Sequence, residues 1–382
     1  NLGISDAKLA AKFKEKKENK LSGAEAQRVF TTLTGGMKRI TLWNSGFSIT
    51  VKNISLEQLN RFFNELNTRD YQYGRAYGGY YYLFEDLEIK SFIAEKLLPM
   101  CITGSTYNEY RDTNKLLKAI KYQDFPVIIW ALASLMFPEG TMIRYVCAKC
   151  GAVEESKVNL SKMRLNNLSL INQQMRDYFG VEYKNQWIKD EALHKYEKIS
   201  DLEKEIEISF GEDDRHQTYR LKMRQASVRD FLDVGNKFNA ELGSQIKVAD
   251  KDAVSQFIAI NQNYEFTPWI KSITLVTDRD GEEYSYTVDN YDDDGELVEE
   301  NTATIRYLMD QFRQYAPDFR EKVENYILST KISHIAFYYP ECKNCHEKTT
   351  NGYGGYIPYD PMHAFFTLVL TKILRARFLK KS

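Results

Sequence analysis

Two C-x2-C pairs stand half the chain apart: Cys147 and Cys150, then Cys342 and Cys345, with 191 residues between the inner cysteines (342 − 150 − 1). Each follows a short β-like run, Thr141-Met-Ile-Arg-Tyr-Val146 before the first and Ser333-His-Ile-Ala-Phe-Tyr338 before the second. A C-x2-C at the end of a strand is how a zinc knuckle is built, and four thiolates from two knuckles complete a closed tetrahedral Zn2+ site. Such a site has no position left for a substrate, so it acts as a staple rather than a reaction centre. Ribbons usually place their pairs about 15–20 residues apart. A shared site here therefore requires the intervening chain to be a large insertion between two halves of one ribbon. The competing reading is two unrelated thiol pairs, reduced and metal-free. His346 is a further candidate ligand, but its adjacency to Cys345 makes joint coordination awkward. A redox C-x-x-C fits less well, because neither pair opens a helix in a βαβ context.

Composition narrows the setting. At 382 residues the chain is too long for one ordinary domain and points to two or three. A net charge of −1 gives no global basic field to attract nucleic acid or anionic lipid. The 26 tyrosines are the unusual feature, and tyrosine favours protein–protein interfaces through its large area and polar tip. A Tyr-rich core would account for them equally simply. Five cysteines, four of them in C-x2-C form, do not make a secreted disulfide framework. Cys101 is left over and reads as a small buried apolar residue. The start, Asn1-Leu-Gly-Ile-Ser-Asp6, lacks the apolar stretch of a signal peptide. The best membrane candidate, Ala364 to Leu379, is interrupted by Lys372, Arg375 and Arg377.

Residues 1–34 read as a charged arm that orders on a partner. Arg39 to Trp43 and Phe47 to Val51 alternate as two strands across Asn44-Ser-Gly46. Ser55-Leu-Glu-Gln58 has capping-box character, and Leu59, Phe62, Phe63 and Leu66 follow at helical spacing. Further helices are expected at Phe84–Met100, Asn114–Ile120 and Phe125–Phe137, the last apolar enough to be buried. Ser161 to Trp187 carries scattered apolar residues at helical spacing. A β-rich region follows. Its runs are Glu205–Phe210, Tyr219–Met223, Ser272–Thr277 and Tyr284–Val288, with a helix at Ser227–Phe238. The end of the chain carries helices at Thr304–Phe312 and Pro317–Leu328, then an amphipathic helix around Phe365 to Leu374.

Other motifs are weak. Asn290-Tyr-Asp-Asp-Asp-Gly295 imitates a calcium loop, but its first ligand is Asn290 and its twelfth position is Asn301, so a solvated acidic turn fits better. The glycine-rich runs Tyr73–Gly79 and Gly352–Tyr356 lack phosphate-loop spacing and read as interface or surface loops. The histidines His194, His216, His334, His346 and His363 form no ligand spacing, and no G-x-S-x-G elbow occurs. The basic tail Arg375–Lys381 reads as favourable charge at a helix C-terminus.

Several stretches, in order, resemble the baseplate or hub proteins of contractile-tailed bacteriophages. They are Thr41-Leu-Trp-Asn-Ser-Gly-Phe47, Gly74-Arg-Ala-Tyr-Gly-Gly79, Asp124-Phe-Pro126 leading to Met136-Phe-Pro-Glu-Gly140, Cys147-Ala-Lys-Cys150-Gly151, and the helix pair before Cys342-Lys-Asn-Cys345. The resemblance implies a structural virion protein of the tail baseplate, made in the host cytoplasm and partnered by other tail proteins in a large assembly. By position it makes Cys147, Cys150, Cys342 and Cys345 the ligands of a structural zinc. The expected fold is α+β and multidomain, a split zinc-ribbon core with an inserted β-rich domain. Its parts are an arm at 1–34, an α+β domain at 35–195 with the first knuckle, a β-rich insertion at 196–290, and a helical region at 291–382 with the second knuckle. A zinc-ribbon nucleic-acid-binding protein is the alternative, and an enzyme of unassigned activity the third reading. Nucleic acid is not an expected partner under the leading reading, and no catalytic residue is named.

Overall fold

The computed structural model describes residues 36–77, 82–138, 140–147, 149–182, 187–210, 217–245, 264–279, 282–289, 298–338, 341–347, 356–362 and 365–369. The expected arm, the acidic turn at 290–295 and the basic tail lie outside them, as do His216, His363 and Gly352–Gly355. The fold is α+β, with helices set against several separate antiparallel sheets.

The first sheet is β1 (Met37–Leu42), β2 (Phe47–Lys52) and, further along, β3 (Ile102–Ser105). The expected hairpin forms with Leu42 opposite Phe47. Gly46 makes the turn at φ +83°, where a Cβ would stand 2.4 Å from the Tyr196 ring. The capping box holds: Ser55 N donates to Gln58 Oε1 and Gln58 N to Ser55 Oγ, both at 3.2 Å. It opens α1 (Leu56–Tyr77), which runs through Gly74, so the first glycine-rich run begins as helix rather than loop. Next, α2 (Tyr82–Phe92) continues through a π turn (Ile93–Leu97) to Cys101, which is fully buried.

After α3 (Thr113–Ala119) comes α4 (Phe125–Met136), apolar around its circumference and buried along nearly its whole length. A helix without a polar face has to lie at the centre of a core. It packs on β1 and β2. This first core also takes in Val228, Phe231 and Phe238 from a later helix, and Phe365 and Val369 near the end of the chain.

The chain then forms the hairpin β4 (Thr141–Val146) and β5 (Val153–Val158), followed by the short β6 (Arg164–Asn166). Ser161 to Trp187 is therefore not helical throughout. Among the described residues there, only α5 (Gln173–Glu182) is an α-helix, and it shares a small core with α6 (Asp190–Ser200) through Met175, Phe179 and Tyr196.

The β-rich region is a four-stranded meander: β7 (Lys204–Phe210), β8 (Gln217–Met223), β9 (Ile270–Arg279) and β10 (Glu282–Asp289). Between β8 and β9 lies α7 (Val228–Gln245). One face of the meander is buried through Ile208, Leu221 and Ile273, and further along the same face Tyr284 and Tyr286 of β10 stand exposed. The buried face is covered by α8 (Glu299–Tyr315) and α9 (Phe319–Ser329), through Ile305, Met309, Phe312 and Val323. Packing thus crosses the expected boundary at 290, because the sheet's apolar face needs those helices to leave water. It also assigns α7 to the first core. Last come β11 (Ser333–Tyr338) and β12 (Tyr356–Pro358). Among the described residues no helix is long and apolar enough to cross a membrane.

Buried polar groups tie these parts together. Asn44 Nδ2 donates to Gln123 Oε1, Gln225 Oε1 and the Thr330 carbonyl at 2.6–3.0 Å, and its Oδ1 accepts from Ile332 N at 3.1 Å. One side chain in the first hairpin turn thereby fixes the segment leading into β11.

Candidate metal centre

The first knuckle is the tip of the β4–β5 hairpin. After the last strand pair, Val146 with Val153, Cys147 N donates to the Ala152 carbonyl at 2.8 Å and Gly151 N to the Cys147 carbonyl at 2.9 Å. The second knuckle repeats this pattern. Cys342 N donates to the Glu347 carbonyl at 3.0 Å and His346 N to the Cys342 carbonyl at 2.9 Å. The residue four past the first cysteine is left-handed in both, Gly151 at φ +71° and His346 at φ +56°. The two units therefore share a turn. That offset was present in the sequence, but a histidine standing where the other knuckle has glycine hid it.

What brings the knuckles together is β11. It pairs with β6 through Ser333–Asn166 and Ile335–Arg164, and with β12 on its other side. Since β6 closely follows the hairpin, this pairing sets the second knuckle beside the first. Tyr145, on the inner face of β4, meets Phe337 of β11 with ring centroids 6.0 Å apart.

The result is a four-sulfur cluster of Cys147, Cys150, Cys342 and Cys345, with all Sγ atoms within 4.8 Å of one another. Cys147 and Cys345 are 3.7 Å apart, as are Cys150 and Cys342. A tetrahedral ion with metal–sulfur bonds of about 2.3 Å requires sulfur–sulfur edges of about 3.8 Å. A disulfide would need about 2.05 Å, and all four cysteines are free thiols. The arrangement is compatible with a bound metal, and its four protein ligands leave no open coordination position.

Electrostatics favour a cation at the centre. Asn344 Nδ2 donates to Cys150 Sγ at 3.5 Å and, with the Ala152 N–H, lowers the Cys150 pKa. The Cys345 N–H also favours the Cys342 thiolate, but burial and the neighbouring thiols outweigh it and push that pKa up to about 12. Four thiolates this close cannot all ionise by themselves, and a dication reverses the balance. Around the ligands, Lys149 of one knuckle pairs with Glu347 of the other. Buried Glu154 accepts from Lys343 N at 3.0 Å. Such outer contacts fix ligand orientation. None of these partners carried a sequence signal.

His346 stands outside the cluster. Its ring is exposed and lies 3.2 Å from Glu341 Oε1. His194 lies beside Glu197 and half-buried His334 sits on β11, so neither joins the thiols. Among the described residues the four cysteines are the one group of His, Cys, Asp or Glu gathered closely enough to share a metal. Comparison of the chain with protein-family models, with curated proteins and with solved structures finds no match.

Proposed function

We propose that this protein is a structural subunit of a contractile phage tail baseplate or hub, stapled by a zinc ion on Cys147, Cys150, Cys342 and Cys345. The observation that carries this reading is the closure of the site. Four thiols from segments 191 residues apart (342 − 150 − 1) converge with no place for a substrate. Chemistry of that kind serves architecture, and zinc is the ion whose structural sites are closed, tetrahedral and thiolate-rich. The ordered motifs from Thr41 to Cys345 supply the tail assignment. Exposed tyrosines suit an assembly role, with Tyr286, Tyr307, Tyr315 and Tyr338 each at least 59% exposed. The protein is made in the host cytoplasm and its partners are other tail proteins.

Two measurements test this. Elemental analysis of the purified protein should give one zinc per chain, lost in both Cys150→Ser and Cys342→Ser. Iron in its place refutes zinc, and metal lost in only one variant refutes the shared site. Mass spectrometry of purified tails from a phage encoding this chain should detect it as a virion component. Its absence there, together with salt-dependent DNA binding by the isolated protein, would favour the nucleic-acid alternative.

A further inference from the structure

We infer that the four-thiol cluster is also an oxidative modification site, attacked first at Cys150 by peroxide-class oxidants and resolved as two disulfides between the knuckles. This inference rests on the metal reading above. It concerns what the same cysteines do when an oxidant reaches the site.

Exposure sets the order of attack. Cys147 and Cys342 are buried, at 1% and 0% relative exposure, and Cys345 is intermediate, whereas Cys150 is exposed. Susceptibility to oxidation follows thiolate character and exposure, so an oxidant arriving from solvent meets Cys150 first. Proximity sets the product. Two sulfur contacts of 3.7 Å run across the knuckles, Cys150 to Cys342 and Cys147 to Cys345. Within each knuckle the turn is already closed by two backbone hydrogen bonds. A disulfide across the knuckles needs the sulfurs to close by under about 2 Å.

The step balances. Cys150 thiolate attacks one peroxide oxygen, the O–O bond breaks, and Cys150 sulfenic acid and hydroxide result. Cys342 thiolate then attacks that sulfur, the S–S bond forms, and a second hydroxide leaves. Two thiolates have given two electrons to one hydrogen peroxide. A metal held by these thiols would then have lost half its ligands, and a second peroxide joins Cys147 to Cys345 in the same way. The consequence is mechanical. A staple made by metal in a reducing cytoplasm becomes covalent in an oxidising exterior, and the distant segments stay joined. Disulfides within each knuckle would instead release them from one another.

The sequence makes the test direct. Lys149 separates Cys147 from Cys150, and Lys343 separates Cys342 from Cys345, so trypsin puts every one of these cysteines on its own peptide. The purified full chain is treated with hydrogen peroxide, and zinc release is followed with a colorimetric chelator. The protein is then digested without reduction and mapped by mass spectrometry. The expected products are Cys150–Cys342 and Cys147–Cys345. Dimedone added with less than one equivalent of peroxide should mark the peptide that begins at Cys150. Disulfides joining 147 to 150 and 342 to 345 overturn the inference, as does dimedone found chiefly on Cys147 or Cys342. If the starting protein holds no metal, the zinc reading fails separately, and the disulfide map still decides the pairing.

Discussion

Asp124 gives the sharpest test of how the interior is held together. It ends the turn before α4, is 0% exposed, and accepts at Oδ2 from Ser45 N and Ser45 Oγ, both at 2.8 Å. Its Oδ1 has no hydrogen-bond partner among the described residues. Burial raises its pKa from 3.8 to about 6, against the opposing pull of the Ser45 hydroxyl and the Arg164 charge. The folded state thus binds this proton more tightly than the unfolded chain. The group favours the fold at low pH, and that contribution is lost as pH rises through about 6. From these two pKa values, the change between pH 5 and pH 7.5 is on the order of 1 kcal/mol. Asp124→Asn keeps an acceptor for Ser45 and cannot ionise. Urea unfolding of both proteins at pH 5, 6 and 7.5 isolates the effect, because the titration of other groups, thiols included, is common to both. The gap between them should move by ~1 kcal/mol in favour of the native protein on going from pH 7.5 to 5. Parallel stabilities across that range would refute the reasoning. A gap moving the other way would show that Ser45 and Arg164, not burial, govern the carboxyl.

Gly46→Ala should destabilise by roughly 2–4 kcal/mol, since its Cβ would meet the fully buried Tyr196 ring at a left-handed φ; urea unfolding reads it. His346→Gly should stabilise by up to about 1 kcal/mol in the same assay by relieving a left-handed histidine. Its metal content should be unchanged, and loss of metal would make the imidazole a ligand after all. Stripping metal with a strong chelator under reducing conditions should cost at least the closure entropy of a loop of about 190 residues, ~5 kcal/mol by chain statistics. Thermal melts with and without chelator measure it, and superimposed melts would refute the staple.

The sequence by itself determined whatever depends on neighbours in the chain. The turn Asn44-Ser-Gly46 between alternating runs made the first hairpin, reciprocal Ser55 and Gln58 capped the first long helix, and unbroken apolar residues from Phe125 to Met136 required a central helix. It also supplied the four thiols as a candidate set, because C-x2-C after a strand has few other uses. It did not determine where those thiols would sit. Arg164-Leu-Asn166 is too short for any periodicity to show, yet its pairing with β11 is what carries the second knuckle to the first. The division of cores was equally invisible. The meander's apolar face is plain in its alternation, but the helices covering it begin only after β10, and α7 between its strands packs elsewhere. Local sequence encodes which residues must leave water, through spacing alone. Which surface receives them is a choice among distant partners, and only the tertiary structure, by burying them together, makes it.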